Sequence, residues 1–510
     1  MTIMCVEKSK SRKVEKSKGL VGWVRRPTIF TATLIVLGVT NLVYAGAPIA
    51  QELAAAVSRL PHPQTRFGVA IADLSTGSVL FDRHGEEVLV PASNAKVFVM
   101  AAALRELGPD FAFETRLAFD GQHLYLIGDG DPGLGDEKIH RSRGESILAP
   151  YERFAEALKS KGIVEVRGDI VVDASVFDDQ RIHPDWEPGD LGKWYAAPVA
   201  GIGFNDNCLD ITISPAGKGK SVPSVSVMPP TAQIKIVNQT RSGGKGDPIL
   251  HHPPGSNEYR ISGALRKTWT FSPVPVDDPV FFAGDVLKRV LADRGVRVHG
   301  TVRTQRVRQA DGTLPASLQL VATHRTLLAD VLARVGKDSQ NYFAECVLKR
   351  VGYAWTQRAR QHDPVGSWQT GSQAIIAHLQ ALGIPTAGLV IADGSGLSRG
   401  NRCTARQLTT VLAKMAALPG AEMFRESLAE AGVDGSLRKR LRGLSASVYA
   451  KTGTMRGIRT LSGYVQSEDN HLYAFAVLFN GYTGPSTPYK EIQDRICRIL
   501  AGEPVRNASR

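Results

Sequence analysis

The chain has 510 residues, with 62 Lys+Arg against 49 Asp+Glu, a formal net charge of +13 and 43% apolar residues. This balance excludes disorder as the main state and fits more than one folded domain. Residues 1–26 hold eight Lys/Arg and two Glu, which leaves only +7 for the other 484 residues and removes most of the case for nucleic-acid binding. Five Cys without a Cys-x-x-Cys pair exclude a disulfide-built scaffold and a zinc ribbon.

No residue from 27 to 51 is charged, and residues 28–45 form an apolar run directly after Arg25 and Arg26. A basic flank of this kind keeps the N-terminus in the cytoplasm and sends the rest outward. The run ends in Val43-Tyr44-Ala45, small or branched at the first and third places, which suits cleavage before Gly46. Cleaved signal or retained anchor, the expected location is the same: exported, in the periplasm or on the outer face of the cytoplasmic membrane.

Residues 66–74 and 78–83 alternate around Ser75-Thr76-Gly77 and predict a hairpin. Residues 95–107 (AKVFVMAAALREL) are apolar on most faces and predict a buried helix ending before Gly108-Pro109. From about 113 to 315 the texture changes to short β-like runs, such as 123–127 and 169–173, separated by Gly and Pro. That block reads as a largely β insertion. Helical patterns return at 327–352, 367–382 and 404–417, followed by β-like runs at 447–451, 459–466 and 472–480 and a last helix over 488–501. Hairpin first, helices next, strands and a helix last predict an antiparallel sheet in which the N-terminal and C-terminal strands meet, with helices packed on it.

Ser93 and Lys96 (Ser93-Asn94-Ala95-Lys96) open the buried helix three residues apart and share one face of it. A lysine held among apolar groups has its ammonium penalised, so it can take a proton from the serine, and the helix N-terminus offers N–H groups to an oxyanion. The same spacing at Ser242–Lys245 lies in a Gly-rich loop and at Ser436–Lys439 in a basic stretch, without that apolar setting. Ser339-Gln340-Asn341 is the single Ser-x-Asn, between helical patterns where a tight turn can point both side chains into a cleft. Lys451-Thr452-Gly453-Thr454 contains the single Lys-Thr-Gly, at the end of a β-like run, with a Gly that admits a substrate backbone. The order of the three motifs is that of penicillin-binding proteins and serine β-lactamases.

Beyond the motifs, the chain resembles the class C low-molecular-mass penicillin-binding proteins, D-alanyl-D-alanine carboxypeptidase/endopeptidases of peptidase family S13. Residues 194–198 (WYAAP), 204–207 (FNDN), 393–399 (DGSGLSR), 432–437 (GVDGSL) and 461–465 (LSGYV) carry the resemblance, as does the 246-residue interval from Ser93 to Ser339. Gln340 departs from the small or acidic residue usual there, an expected effect on rate that leaves the flanking Ser and Asn in place. The resemblance implies an α+β, or α/β, penicillin-binding-protein/serine β-lactamase-like transpeptidase domain, an antiparallel sheet flanked by helices with largely β inserted domains. Its expected organisation is a basic segment 1–26, a signal or anchor 27–45, a first transpeptidase part 46–112, inserted domains 113–315, a second part 316–502 and a tail 503–510.

The same resemblance implies Ser93 as nucleophile on the penultimate D-Ala carbonyl of a peptidoglycan stem peptide, Lys96 as its base and Ser339 as proton relay to the leaving amine. Asn341 would hold substrate and Lys96, Lys451 would attract the terminal carboxylate, and Thr452, Gly453 and Thr454 would complete the binding strand. Backbone N–H groups of Ser93 and Thr454 would form the oxyanion hole. No cofactor and no metal is called for. Expected partners are stem peptides and, as covalent inhibitors, β-lactams, with no nucleic acid and an N-terminal membrane anchor if the segment is retained. A serine β-lactamase and a catalytically idle peptidoglycan-binding scaffold are the alternatives. Gly128–Gly133 reads as a structural turn because its two Asp would repel a pyrophosphate, His251-His252 as surface histidines, and Cys346 as a core residue.

Overall fold

The computed structural model describes residues 47–503 except 59, 218–221, 245, 254 and 361. The basic segment, the apolar run 28–45, Lys245 and the last seven residues lie outside the described residues. Among those described, no helix is long and apolar enough to cross a membrane.

The principal sheet has six strands in the spatial order Ala429–Glu430, Ser447–Met455, Ile458–Gln466, Leu472–Asn480, Arg66–Asp73, Ser78–Arg83. Every pairing in it is antiparallel, and the first and last long strands meet in the register Arg66 to Asn480 through Asp73 to Tyr473, as the chain order predicts. Both faces are buried, which is why these runs are apolar throughout. Ala70, Ala474 and Ala476 face the cluster containing helices Ala95–Glu106, Asn341–Arg358 and Ala405–Ala416. Val69, Ile71, Phe475 and Val477 alternate to the other side, against Leu53 and Ile496 of the helices at the two ends of the described chain. Small residues on one face let the helices approach the sheet closely. Ala95 to Leu104 are buried without exception, so the predicted helix is the centre of the core.

The block from 113 to 315 contains more helix than its texture implied. Helices Glu137–Ser142, Ala149–Ser160 and Pro279–Asp293 accompany a five-stranded mixed sheet and three smaller sheets, and a separate cluster around Phe154, Phe204, Val286 and Leu287 holds the two longer helices to them. The Gly and Pro density masked a legible start signal, Asp278 capping Phe281 N–H with Pro279 in the first turn. Strand Gln319–Leu327, past residue 315, pairs with Ala112–Phe119 in the five-stranded sheet.

The helical pattern 327–352 is two helices, Leu328–Gly336 and Asn341–Arg358. Between them Ser339 takes φ +59°, a left-handed conformation that turns the chain sharply. A Cβ on Gly336 would lie 1.9 Å from the Ser427 carbonyl oxygen, so only glycine lets the first helix end there. His252 also departs from expectation, being half-buried and stacked on Tyr259 at 4.1 Å while His251 is exposed. The Gly128–Gly133 turn is structural: Asp129 accepts from Arg350 Nε, and Asp131 from Gly133 N–H and Thr326 Oγ1.

Candidate active site

Ser93 sits half-buried in a single 3-10 turn, Ala92–Asn94, that runs into the central helix. Ala92 has φ +47°, and the Asp393–Arg399 segment presses on it: a Cβ on Gly396 (φ +80°) would lie 1.9 Å from Ala92 O and 3.0 Å from Ser93 N. Glycine is required there, and the contact fixes the backbone that carries Ser93. Asn94 locks the turn to the sheet, donating to Thr460 Oγ1 at 2.6 Å and accepting from Ser462 Oγ.

Lys96 is fully buried and its Nζ faces three acceptors, Ser93 Oγ at 3.1 Å, Asn341 Oδ1 at 2.8 Å and Ser395 O at 2.6 Å. Asn341 in turn donates to Tyr195 O at 2.9 Å, which ties the Trp194–Ala196 turn to the site. Lys451, also fully buried, donates to Ser339 Oγ at 2.8 Å and to Thr452 O at 2.9 Å. The three motifs therefore converge: Ser93, Asn341 and Thr454 line one cleft of about 360 Å³ together with Tyr195, Gly396 and Arg399. Gly453 owes its identity to the protein's own packing, since a Cβ there would meet Thr460 Oγ1 at 2.1 Å and Pro91 O at 3.0 Å. Close approach of a substrate backbone, the expected reason, is not what fills that direction.

The electrostatics are set by burial and by two carboxylates outside the three motifs. Burial lowers Lys96 to about 8, against the opposing pull of Glu345 and Asp393. Burial, with the like charge of Lys96, holds Lys451 well below the usual lysine range. Glu345, pushed up to about 7 by burial and by Asp393, accepts the N–H groups of Gly394 and Ser395 and the Trp368 indole, each at 2.8 Å. Asp393 accepts from Gly396 and Ser398 N–H, Trp186 Nε1 and Asn401 Nδ2. The pair thus holds the loop whose Ser395 carbonyl touches Lys96. Glu345 stands four residues after Asn341 on one helix face, a spacing that could have revealed it.

Of the two other Ser-x-x-Lys copies, Ser242 is exposed and accepts from Ala216 N–H. Ser436 is exposed too, but it lies at the site's edge and accepts from Thr452 Oγ1 at 2.8 Å. Thr454 is exposed and accepts from Arg459 Nη1 at 2.7 Å. Gln340 bonds away from Lys96, to Asp206 Oδ2 of the FNDN segment at 2.7 Å. Cys346 is fully buried.

Residues 49–502 match the model of the D-Ala-D-Ala carboxypeptidase 3 (S13) family. The chain is 33% identical over 466 residues, 85% of it and 81% of the relative, to the D-alanyl-D-alanine carboxypeptidase of Actinomadura sp. (strain R39). Identity to D-alanyl-D-alanine carboxypeptidase DacB of Haemophilus influenzae is 28% over 440 residues, 82% and 85% of the two chains. The crystal structure of penicillin binding protein 4 (dacB) from Haemophilus influenzae superposes with a TM-score of 0.71 at 24% identity, covering 89% of this chain and 99% of that one. That protein has also been solved complexed with a β-lactam. With nearly every described residue inside the family match, the chain belongs to the S13 family and is a serine-type D-Ala-D-Ala carboxypeptidase.

Proposed function

We propose that the enzyme cleaves D-alanyl bonds of peptidoglycan both at stem-peptide ends and in cross-links, through an acyl-enzyme on Ser93. The observation that carries this reading is the buried Lys96 Nζ, 3.1 Å from Ser93 Oγ and lowered to about 8. In its neutral form it accepts the Ser93 proton as Oγ attacks the penultimate D-Ala carbonyl. The Ser93 and Thr454 N–H groups receive the oxyanion. Collapse expels the C-terminal amine, which takes a proton through Ser339, bonded to Lys451 at 2.8 Å. Water then attacks the ester, and the proton passes back to Ser93 Oγ. Lys451 has no carboxylate within salt-bridge distance among the described residues, so a substrate carboxylate supplies the counter-charge that burial withholds. Asn341, Thr452, Gly453 and Thr454 orient the peptide.

In this reading residues 46–112 and 316–502 form the transpeptidase-like part, apart from strand Gln319–Leu327, which completes the five-stranded sheet of the accessory part 113–315, and residues 1–45 export the whole across the cytoplasmic membrane. β-Lactams acylate Ser93 because they present a strained amide to the same nucleophile, in keeping with the β-lactam-complexed Haemophilus structure. Fluorescent penicillin labels the purified protein and Ser93→Ala abolishes labelling with the melting temperature unchanged; persistent labelling of that variant refutes the assignment. Incubation with muropeptide monomers and dimers, read by mass, separates carboxypeptidase from endopeptidase products. Reporter fusions after residue 60 are active outside the cytoplasm.

A further inference from the structure

The net charge of +7 beyond residue 26 is concentrated in one part of the accessory block. Residues 214–270 hold eight Lys/Arg against Asp247 and Glu258, a net +6, so the other 427 residues are close to neutral. Three of the eight, Lys218, Lys220 and Lys245, lie outside the described residues. The described five divide into two groups. Lys235 and Arg260 share Glu258, whereas Arg241, Arg266 and Lys267 are exposed and have no carboxylate within salt-bridge distance among the described residues.

The local structure gathers these unpaired cations at one end of a small sheet. Strand Glu258–Leu265 lies between Lys235–Ser242, parallel to it, and Ile249–His251, antiparallel. Its residues Tyr259, Ile261 and Leu265 are buried in the cluster around Phe154, so the alternate positions form the outer face. Arg241 stands opposite Ala264 and Ile249 opposite Ser262, which puts both side chains on that outer face. Ile249 is 66% exposed. Gly243 N–H bonds to Leu265 O at 2.8 Å and Arg266 Nε to Gly244 O at 2.8 Å, so the turn after Arg241 is folded against Arg266. A cavity of about 460 Å³ opens there, walled by Arg266, Lys267, Asp247 and the half-buried Trp269. Asp247 on that wall disfavours a lone anion seated inside. An extended anionic surface is the complement of three separate cations. A dissolved polyanion would give the exposed Ile249 side chain nothing, whereas a lipid surface offers headgroups to the cations and an apolar boundary to the isoleucine.

We propose that Arg241, Ile249, Arg266 and Lys267 dock the accessory part on an anionic phospholipid surface. The enzyme then stays at the outer face of the cytoplasmic membrane even after cleavage before Gly46 has removed residues 1–45. The side of the membrane rests on the export reading above; the lipid contact rests on the charge and the outer face alone.

Gly46–Arg510 is one compact unit, so the test uses the chain from Gly46 onward, free of the basic and apolar segment that would bind lipid by itself. Vesicles of phosphatidylglycerol mixed equally with phosphatidylcholine capture it on sedimentation, and vesicles of phosphatidylcholine alone do not. Replacing two cations together, Arg241→Gln with Lys267→Gln, lowers the partition about thirtyfold, at roughly fivefold per cation near an anionic surface. Arg266 is left in place because it holds Gly244 O. Ile249→Ser lowers the partition about fivefold through lost apolar burial. Both variants keep the wild-type melting temperature and hydrolysis of D-Ala-D-Ala peptides, which separates lost docking from lost fold. Equal capture by neutral and anionic vesicles, or undiminished capture of the double variant, overturns the proposal. An unchanged partition of Ile249→Ser overturns it too, in favour of a dissolved polyanion such as a phosphodiester polymer. Capture is read without substrate, so its failure is distinct from a failure of the peptidoglycan reading.

Discussion

Acylation of Ser93 should follow the ionisation of Lys96, and the structure fixes the sign and size of the effect. A lysine lowered to about 8 is roughly one-tenth neutral at pH 7 and nine-tenths neutral at pH 9. The second-order rate of penicillin acylation therefore rises about tenfold between those values and levels off above. Below neutrality a second ionisation enters. Glu345, at about 7, loses its charge as pH falls, the attraction that raises Lys96 weakens, and the rate falls less steeply than tenfold per pH unit. Glu345→Gln removes that charge at every pH. A unit charge several ångströms away at an effective dielectric of ~20 is worth roughly 2 kcal/mol, so the midpoint moves down by about one and a half pH units. Stopped-flow acylation with a chromogenic cephalosporin from pH 5.5 to 10, on both proteins, reads the midpoints directly. A wild-type rate that is flat from pH 6 to 9 would refute Lys96 as the base. A Glu345→Gln profile lowered at all pH values with an unmoved midpoint would reduce Glu345 to a support for the Gly394–Ser395 backbone.

Lys451→Met removes the cation but keeps most of the stem, so the loss of kcat/KM should be about tenfold or more on peptides ending in a free carboxylate and smaller on internal cross-links; equal losses in a muropeptide assay place Lys451 in proton transfer alone. Ser436→Ala keeps its penicillin labelling, because Lys439 is exposed and the Ser436 hydroxyl contacts Thr452, while KM for D-Ala-D-Ala peptides rises a few-fold, the worth of about one neutral hydrogen bond; lost labelling would point to the wrong serine. Gly396→Ala places a methyl group 1.9 Å from Ala92 O at φ +80°, a strain of about 1–3 kcal/mol; it lowers the melting temperature by several degrees, roughly as that energy implies, and slows acylation more than tenfold, and unchanged acylation would show that the loop does not set the Ser93 backbone.

What was legible in the sequence divides along a physical line. Periodicity is local, so the hairpin 66–83, the buried helix from Ala95 and the apolar C-terminal strands could be read directly, and their order implied that strand Arg66–Asp73 meets Leu472–Asn480. The motifs were legible because each carries its chemistry in three or four consecutive residues. What they touch was not. Glu345 looks like any helical glutamate until the Asp393–Arg399 loop folds over it, and only then does its carboxylate hold Ser395 O against Lys96. The Ser436–Lys439 stretch lacks an apolar setting, which argues against Lys439 as a base but says nothing of Thr452, sixteen residues on, whose hydroxyl donates to Ser436. A Cβ on Gly453 would come within 3.0 Å of Pro91 O and one on Gly396 within 1.9 Å of Ala92 O, the two residues just before the nucleophile, and neither contact shows in a local pattern. The two glycines thus bring the binding strand and the Asp393–Arg399 loop down on the same short turn. The turn that leads into Ser93 is held by backbone, while the base beside it is tuned by carboxylates that do not line the cleft. Positioning and proton affinity are in this way assigned to different residues, so a substitution at Gly396 should change the rate without moving its pH midpoint, and one at Glu345 should move the midpoint.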